Sequence, residues 1–262
     1  MSRYSPIAPI TLLEQLYQRE LLDNYLLLLA HDVLAEPVRY EQLALNIRML
    51  DEDPFIIMDN SLIELGAAMD IDDVIEAASV VEADCILTPD ALGGFEDTKR
   101  LVLAQKERLT TCQFPLMRVP QGTDVAELVQ CVDWLRRELP TEDGTPEYWG
   151  IPRWIANALG SRIPIMQYAI LTASYETSVQ IHLLGMLQRY EDDMRCARFP
   201  DVMGIDSANP LVMGQKGLDI HQFPWEHMDR GDYWDHMELS PITNLNVEFI
   251  HNALNPPATD IV

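Results

Sequence analysis

The sequence predicts an α/β protein with a single domain, a (β/α)₈ barrel of the TIM type. Its 262 residues match the roughly 250 that such a barrel needs. Short apolar runs of strand length alternate with amphipathic helical segments, which favours parallel strand pairing. Most of these runs end in a polar or turn-forming residue, a pattern typical of strands that deliver side chains to one end of a barrel.

The composition limits the class of protein. Hydrophobic residues make up 48% of the chain and charged residues 23%, as in ordinary globular domains. No apolar run approaches the ~20 residues of a membrane span, and the N-terminus lacks the basic and apolar regions of a secretory signal. The four cysteines (Cys85, Cys112, Cys131 and Cys196) form no C-x-x-C pair. We therefore expect a cytoplasmic protein with reduced thiols, no membrane association and no cofactor.

The charge balance is strongly acidic. The chain has 42 acidic and 18 basic residues, for a formal net charge of −24. Such a charge raises solubility and repels phosphate at long range. Any nucleic-acid binding would therefore need a local cationic cluster, a partner or high ionic strength.

Seven strands can be placed in order. They are predicted at residues 25–31, 55–58, 85–87, 114–119, 148–151, 179–184 and 202–206. The first ends in His31 and Asp32, and the second in Asp59. An eighth strand is not clear from the pattern, and we expect an irregular one near Met237-Glu238-Leu239.

Helical periodicity fills the intervals. Helices are predicted at residues 40–50, 70–83, 96–109, 154–159, 165–175 and 187–198. A further helix is predicted after Asp124, which can cap it, with Glu127 three residues on. Residues 1–24 are predicted as a lead-in helix, residues 25–240 as the barrel and residues 241–262 as a C-terminal tail. No repeat or linker divides the chain.

The stretch at residues 202–210 organises the functional prediction. It is a short apolar strand that ends in Asp206, followed by Ser, Asn and Pro. A carboxylate at the end of a buried strand is costly unless it is solvated or used. The ends of other predicted strands carry Asp59, Asp90, Gln121 and Gly185. We therefore expect these residues to meet at one end of the barrel.

Several runs resemble motifs of one family, in order and spacing. Gly204-Ile205-Asp206-Ser207-Ala208 is similar to the Phe-Asp-Ser-Ala run that carries the nucleophile in archaeal members. Met213-Gly214-Gln215-Lys216-Gly217 follows at the spacing of a basic-Gly segment. His182-Leu183-Leu184-Gly185-Met186 resembles the Leu-Met-Gly strand that precedes the nucleophile. Over residues 25–220 the chain thus resembles the tRNA-guanine transglycosylase superfamily, whose members are (β/α)₈ enzymes that exchange guanine for a 7-deazaguanine.

The base-recognition motifs of that family have counterparts as well. Val119-Pro120-Gln121-Gly122 resembles its Val-Gln-Gly, and Met58-Asp59-Asn60-Ser61 stands where it has Asp-Ser-Gly. Asp90 stands where an acidic residue recognises the base. The family's Gly-Gly loop appears as Gly150-Ile151-Pro152.

The resemblance implies a role for each of these residues. Asp206 would be the nucleophile, which suits an oxocarbenium-like transition state. Asp59 would be the acid–base group. Asp90, Gln121 and the Gly122 amide would bind the base. The remaining substrate contacts implied are Gly150, Gly185 and Lys216.

The chain departs from the tRNA-acting members of the family. It has no C-x-C-x-x-C zinc site and no added RNA-binding domain. In this it resembles the compact, often phage-encoded branch that places 7-deazaguanines in DNA, which implies a location in the host cytoplasm. The expected partners are DNA, with a flipped-out target nucleotide, and a 7-deazaguanine base. A protein partner or a homo-oligomer remains open.

Other functions are also compatible with the sequence. The chain could be a tRNA transglycosylase that needs a partner subunit, a non-catalytic barrel scaffold, or a hydrolase of small glycosides or nucleosides. A basic groove around Asp206 would favour nucleic acid, an acidic narrow pocket a small glycoside, and a pocket filled by Trp or Arg a scaffold. His31 and His182 are expected to be packed or hydrogen-bonded strand residues. No metal site is expected, since His221, His227 and His236 match no ligand spacing.

Overall fold

The computed structural model describes residues 2–50, 53–142, 144–174, 177–186, 190–220 and 238–255. Eight parallel strands form one sheet, in the order β1-β8-β7-β6-β5-β4-β3-β2. The strands are β1 (Arg3–Pro6), β2 (Tyr25–Leu29), β3 (Phe55–Asp59), β4 (Cys85–Leu87), β5 (Leu116–Arg118), β6 (Glu147–Pro152), β7 (Val179–Leu184) and β8 (Val202–Ser207). This arrangement confirms the predicted (β/α)₈ class.

Helices connect the strands. They are α1 (Ile10–Gln18), α2 (Ala30–Ala35), α3 (Pro37–Leu50), α4 (Leu62–Leu65), α5 (Ile71–Val80), α6 (Phe95–Ala104), α7 (Lys106–Thr111), α8 (Val125–Glu138), α9 (Arg153–Leu159), α10 (Ile163–Leu171), α11 (Tyr190–Cys196), α12 (Asn209–Gln215) and α13 (Pro241–Leu254). The predicted cap of α8 is present, with Asp124 Oδ1 accepting from the Glu127 N–H at 2.9 Å. In the described ranges, no helix combines the length and apolarity that a membrane crossing requires.

The eighth strand of the sheet is β1, which the sequence did not predict. It pairs with β8, with Tyr4 opposite Ile205 and Ser5 opposite Asp206. The prediction of a lead-in helix for residues 1–24 was therefore incomplete, because α1 follows a barrel strand. The prediction of a strand near Met237-Glu238-Leu239 was wrong for its last two residues, which lie outside any strand; Met237 lies outside the described residues.

Two hydrogen bonds between a backbone N–H and a side chain join β1 to β2, or to the residues just before it, where the sheet meets itself. Ser5 Oγ accepts from the Leu27 N–H at 2.7 Å, and Asp23 Oδ2 accepts from the Tyr4 N–H at 3.1 Å. No strand ladder joins β1 and β2 within the described part of the chain. Side chains therefore replace the backbone ladder where the sheet meets itself.

Two apolar layers fill the space on either side of the sheet. Inward-facing residues, such as Leu27, Ile57 and Met117, pack with one another inside the barrel. Their neighbours along the strands, such as Leu26 and Ile56, pack against the helices. This alternation follows from the two-residue period of a strand, and it brings the polar residues at the strand ends together above the inner layer.

The segment after residue 240 also differs from the prediction. Residues 241–262 were predicted as a tail, but Pro241–Leu254 forms helix α13, which buries Val247 and Ile250. A Cβ at Gly214 of α12 would collide with Thr243 of α13, so the two helices pack closely. Residues 256–262 lie outside the described residues.

The structure differs from the predicted helices and strands at two further boundaries. His31 and Asp32 lie in helix α2 and not at the end of a strand. The single helix predicted for residues 96–109 is two helices, α6 and α7, which meet at Gln105.

Candidate active site

A cavity of about 610 Å³ opens at the carboxyl ends of the strands. Its walls include Asp59 at the end of β3, Asp90 after β4, Gln121 after β5, Gly185 after β7 and Asp206 near the end of β8. The prediction that these side chains meet at one end of the barrel is therefore confirmed. Parallel strands point their carboxyl ends to the same side, which explains how residues far apart in sequence come together.

Asp206 is held by one of its two carboxylate oxygens. Oδ1 accepts from the Gly185 N–H at 2.8 Å and lies 2.9 Å from His182 Nε2. Oδ2 has no hydrogen-bond partner in the part of the chain that the structure describes. The side chain is 12% exposed, so the carboxylate is fixed in direction and still reaches the cavity.

A hydrogen-bonded chain of two buried side chains lies behind Asp206. The Tyr25 hydroxyl lies 2.6 Å from His182 Nδ1, and both side chains are fully buried. Burial raises the pKa of Tyr25 well above its usual value, with a smaller contribution from the neighbouring Cys85. The hydroxyl thus keeps its proton and can donate a hydrogen bond to Nδ1; in the imidazole tautomer that accepts this bond, the Nε2–H donates to Asp206.

The sequence makes room for this chain at Gly204. Gly204 lies in β8, and a Cβ there would collide with the Tyr25 ring. Because Gly204 of β8 has no side chain, the ring of Tyr25 in β2 can reach across the barrel to His182 in β7. A glycine inside a strand often marks such a close approach.

Gly185 is itself anchored from behind. It has a φ of +69°, a conformation that favours glycine. Its carbonyl accepts from Arg162 Nη2. Arg162 is fully buried, donates to the Ile151 carbonyl at 3.0 Å and pairs with the buried Asp193 at 3.0 Å. The end of β7, and with it the Gly185 N–H, is thereby fixed.

Asp59 lines the cavity in a form that favours a bound proton. Burial raises the pKa of its carboxyl well above the usual value, and the charges of Glu64, Asp206 and Asp90 raise it further. The Ser61 N–H, which donates to Oδ1 at 2.6 Å, opposes this shift. Asp59 can therefore act as a proton donor beside the more fixed Asp206.

Asp90 is held between two side-chain amides. Asn60 Nδ2 donates to its Oδ1 at 2.8 Å, and Gln121 Nε2 donates to its Oδ2 at 2.6 Å. Burial raises the pKa of Asp90 to about 6, against these two hydrogen bonds, which lower it. Each oxygen keeps a second lone pair for a ligand.

Gln121 serves a positioning role. Its Oε1 accepts from the Gly93 N–H at 2.9 Å and from Trp154 Nε1 at 2.8 Å, and the residue is fully buried. The side chain thus ties Asp90, the Gly93 loop and Trp154 together.

Three residues predicted to bind substrate do not line the cavity. A Cβ at Gly122 would lie 2.8 Å from Glu127 Cβ, so Gly122 faces α8. A Cβ at Gly150 would lie 2.8 Å from Leu184 Cδ1, within the barrel interior. Lys216 is exposed beyond the end of α12. The aromatic residues and histidines between 221 and 237 lie outside the described residues.

Sequence reasoning missed several residues of the site. His182 was expected only as a packed or hydrogen-bonded strand residue, and it does bond, but directly to Asp206. Asn60, Arg153 and Trp154 were not singled out. Each of these three directly follows or lies just beyond a strand end, which was the one available signal.

Within the described ranges, no group of three or more His, Cys, Asp or Glu side chains is arranged to hold a metal ion. No model of a known protein family matches the chain, and no curated protein matches it. The site combines a fixed carboxylate, a carboxyl that favours its proton and a third carboxylate set between two amides, all in one cavity.

Proposed function

We propose that this protein is a base-exchange transglycosylase that replaces guanine in nucleic acid, specifically DNA, with a 7-deazaguanine such as 7-cyano-7-deazaguanine. One observation carries the proposal: Asp206, held by one oxygen only, shares a cavity with Asp59, whose pKa is raised. A fixed carboxylate beside a proton donor is the pair that glycosyl transfer with a covalent intermediate needs. The resemblance to the tRNA-guanine transglycosylase superfamily supplies the identity of the base.

In the first step, Asp206 Oδ2 attacks C1′ of the target nucleotide. The bond between C1′ and N9 of guanine breaks, its electron pair goes to the base, and Asp59 gives the base a proton. The sugar is then held as an ester of Asp206. The two donors to Oδ1 fix the direction of the attacking oxygen before the substrate binds, which lowers the cost of reaching the transition state.

In the second step, the incoming base reverses the sequence. The Asp59 carboxylate takes the proton from N9 of the 7-deazaguanine, N9 attacks C1′, and the bond from C1′ to Asp206 breaks. Two displacements retain the configuration at C1′. One base leaves and one base enters without water, and only bonds at C1′ are made or broken, so the sugar–phosphate chain stays intact.

Asp90 is suited to recognise the base. Guanine and 7-deazaguanines both present N1–H and a 2-amino group, which are donors that a carboxylate accepts. With a pKa of about 6, Asp90 is mainly ionised at neutral pH. Because Asn60 and Gln121 fix both of its oxygens, a base lacking these donors would leave a buried acceptor unpaired, which is a strong basis for discrimination.

The charge of the cavity favours a second candidate, a hydrolase of nucleosides or small glycosides. The described lining has four acidic side chains, Asp59, Glu64, Asp90 and Asp206, and one basic side chain, Arg153. A neutral small substrate would enter such a cavity without repulsion. The same intermediate would form, and water would then attack it.

A scaffold function is less favoured, because Trp154 and Arg153 line the cavity without filling it.

Label incorporation separates these functions. Purified protein would be incubated with labelled guanine or 7-cyano-7-deazaguanine and with duplex DNA or tRNA, comparing wild type with Asp206→Asn. We expect label in DNA with wild type and none with Asp206→Asn. Label in tRNA alone would move the function to RNA. Base release without incorporation would support the hydrolase, and neither reaction would contradict both enzymatic functions.

A further inference from the structure

Arg153 stands apart from the other charged groups of the cavity. It is the first residue of α9, directly after β6, and its side chain is partly exposed in the cavity wall. In the described part of the chain it makes no side-chain hydrogen bond or ion pair, and no other lysine or arginine there lines the cavity. An arginine that lines the same cavity as four carboxylates, and pairs with none of them among the described residues, is available to an anion from outside.

The position of Arg153 links it to the nucleophile. A Cβ at Gly185 would lie 3.1 Å from Arg153 Cδ and 3.7 Å from its Nε, so the arginine side chain lies across Gly185. The Gly185 N–H is the group that holds Asp206 Oδ1 at 2.8 Å. The guanidinium therefore reaches the region beside the sugar that Asp206 would attack.

The chemistry of a nucleic-acid substrate requires a cation in this region. A sugar placed at Asp206 within a polynucleotide carries phosphates on both of its sides. These phosphates enter a cavity that already holds Asp206, Asp90 and Glu64, on a chain of net charge −24. A guanidinium offers a planar pair of donors that matches a phosphate, and it offsets the repulsion at that point.

We infer that Arg153 binds a phosphate next to the exchanged nucleotide, so that the cavity selects nucleotides of a DNA chain over free nucleosides. This inference rests on the proposed function and names the part of the substrate that the site reads besides the base. It also gives the glycine at position 185 a second use, since any side chain there would displace the arginine.

Binding measurements test the inference without relying on turnover. Fluorescein-labelled duplex DNA of ~20 base pairs would be titrated with wild type, Arg153→Gln and Arg153→Lys over a range of salt concentrations, followed by fluorescence anisotropy. We expect Arg153→Gln to weaken DNA binding about tenfold. The slope of log K against log salt should fall by about one, and Arg153→Lys should lie between the other two.

Two controls isolate the phosphate contact. Arg198→Gln removes one charge from an exposed arginine that precedes β8 at the opposite end of the barrel, and it should leave DNA affinity close to wild type. Calorimetric titration should show that wild type binds dGMP more tightly than deoxyguanosine, whereas Arg153→Gln should bind the two alike. Affinity for free 7-cyano-7-deazaguanine should be the same in both proteins.

The outcomes distinguish this inference from the proposed function. Equal DNA affinity and equal salt slope in wild type and Arg153→Gln would overturn the inference, even if the wild type exchanges bases. Equal affinity for dGMP and deoxyguanosine in the wild type would do the same, as would binding of tRNA in preference to DNA. An Arg153-dependent DNA affinity without any base exchange would uphold the phosphate contact and defeat the proposed function alone.

Discussion

Asp206 shows how the protein fixes a carboxylate through one of its two oxygens. Both of its donors, the Gly185 N–H and His182 Nε2–H, bind the same oxygen. The other oxygen is left for the substrate. Because the Tyr25 hydroxyl keeps its proton, its hydrogen bond to Nδ1 favours the imidazole tautomer with a proton on Nε2. Tyr25 thus helps to orient Asp206 through His182.

Removal of the Tyr25 hydroxyl should affect catalysis more than binding. In Tyr25→Phe, His182 Nδ1 would lose its donor, and a buried acceptor left unpaired costs about 1–3 kcal/mol. Either imidazole tautomer would then be accessible, so Asp206 would be less well oriented. We expect kcat for base exchange to fall about tenfold with KM for DNA nearly unchanged. Tyr148→Phe, at another buried barrel tyrosine, is the matched control and should retain kcat. A rise in KM alone would contradict a positioning role.

The ionisation of Asp90 should appear in the pH dependence of stability. Its pKa in the folded protein is about 6, against an ordinary value of 3.8, so the folded state binds the proton more tightly than the unfolded state. The stabilisation is present below the ordinary value and is lost as pH rises through about 6. The shift corresponds to about 3 kcal/mol.

Comparison with Asp90→Asn isolates this group. The variant places an amide NH₂ against the donor of either Asn60 or Gln121, so it should be less stable than wild type at acidic pH. The difference in free energy of unfolding should shrink by about 2–3 kcal/mol between pH ~4 and pH ~7, because only the wild type has the Asp90 carboxyl. Urea unfolding at a series of pH values measures it, and a constant difference would rule out the raised pKa.

At the scale of elements, the buried pair Arg162 and Asp193 joins α10 and α11 to the end of β7. Both side chains are fully buried, and Arg162 also reaches the Gly185 and Ile151 carbonyls. Loss of one partner leaves a buried charge. We expect Arg162→Met to lower the free energy of unfolding by roughly 3–5 kcal/mol, as measured by urea denaturation.

The double variant Arg162→Met with Asp193→Leu separates stability from function. Because the unpaired carboxylate of Asp193 is also removed, much of the lost stability should return, since apolar replacements of buried ion pairs are often tolerated. The Gly185 carbonyl would still lack its anchor, so base exchange should stay below wild type. Full recovery of exchange in the double variant would show that Arg162 does not position Gly185.

Seven of the eight strands were predictable because each carries its own apolar run and polar end. β1 was not, because its four residues, Arg3–Pro6, include a buried serine and end in proline. Its identity as a strand depends on β8. In the site, the strand-end pattern predicted where Asp59, Asp90 and Asp206 lie. The contact of Tyr25 with His182 could not be predicted, since it depends on which side chains meet across the barrel and on the space left at Gly204.

At the scale of the whole molecule, the net charge of −24 works against compactness, since like charges repel more strongly in the folded state. Raising NaCl from ~10 mM to ~300 mM shortens the Debye length from ~30 Å to less than ~10 Å. We expect Tm to rise by about 4 °C, as ~1–2 kcal/mol produces in a chain of this size. Sucrose, which adds no ions, should not reproduce the salt dependence at low concentration, and a Tm independent of salt would contradict the argument.

The pairing of β1 with β8 also governs when the site can form. Arg3 lies opposite Gly204, so about 200 residues of chain separate the two strands, a contact of very high sequence separation. During synthesis, β1 leaves the ribosome before β8 and must wait until β8 follows to form its strand pairing. Because Asp206 belongs to β8, the proposed nucleophile is set in place together with the final closure of the barrel. Chains that end before β8 therefore carry the other two cavity aspartates without Asp206, the proposed nucleophile.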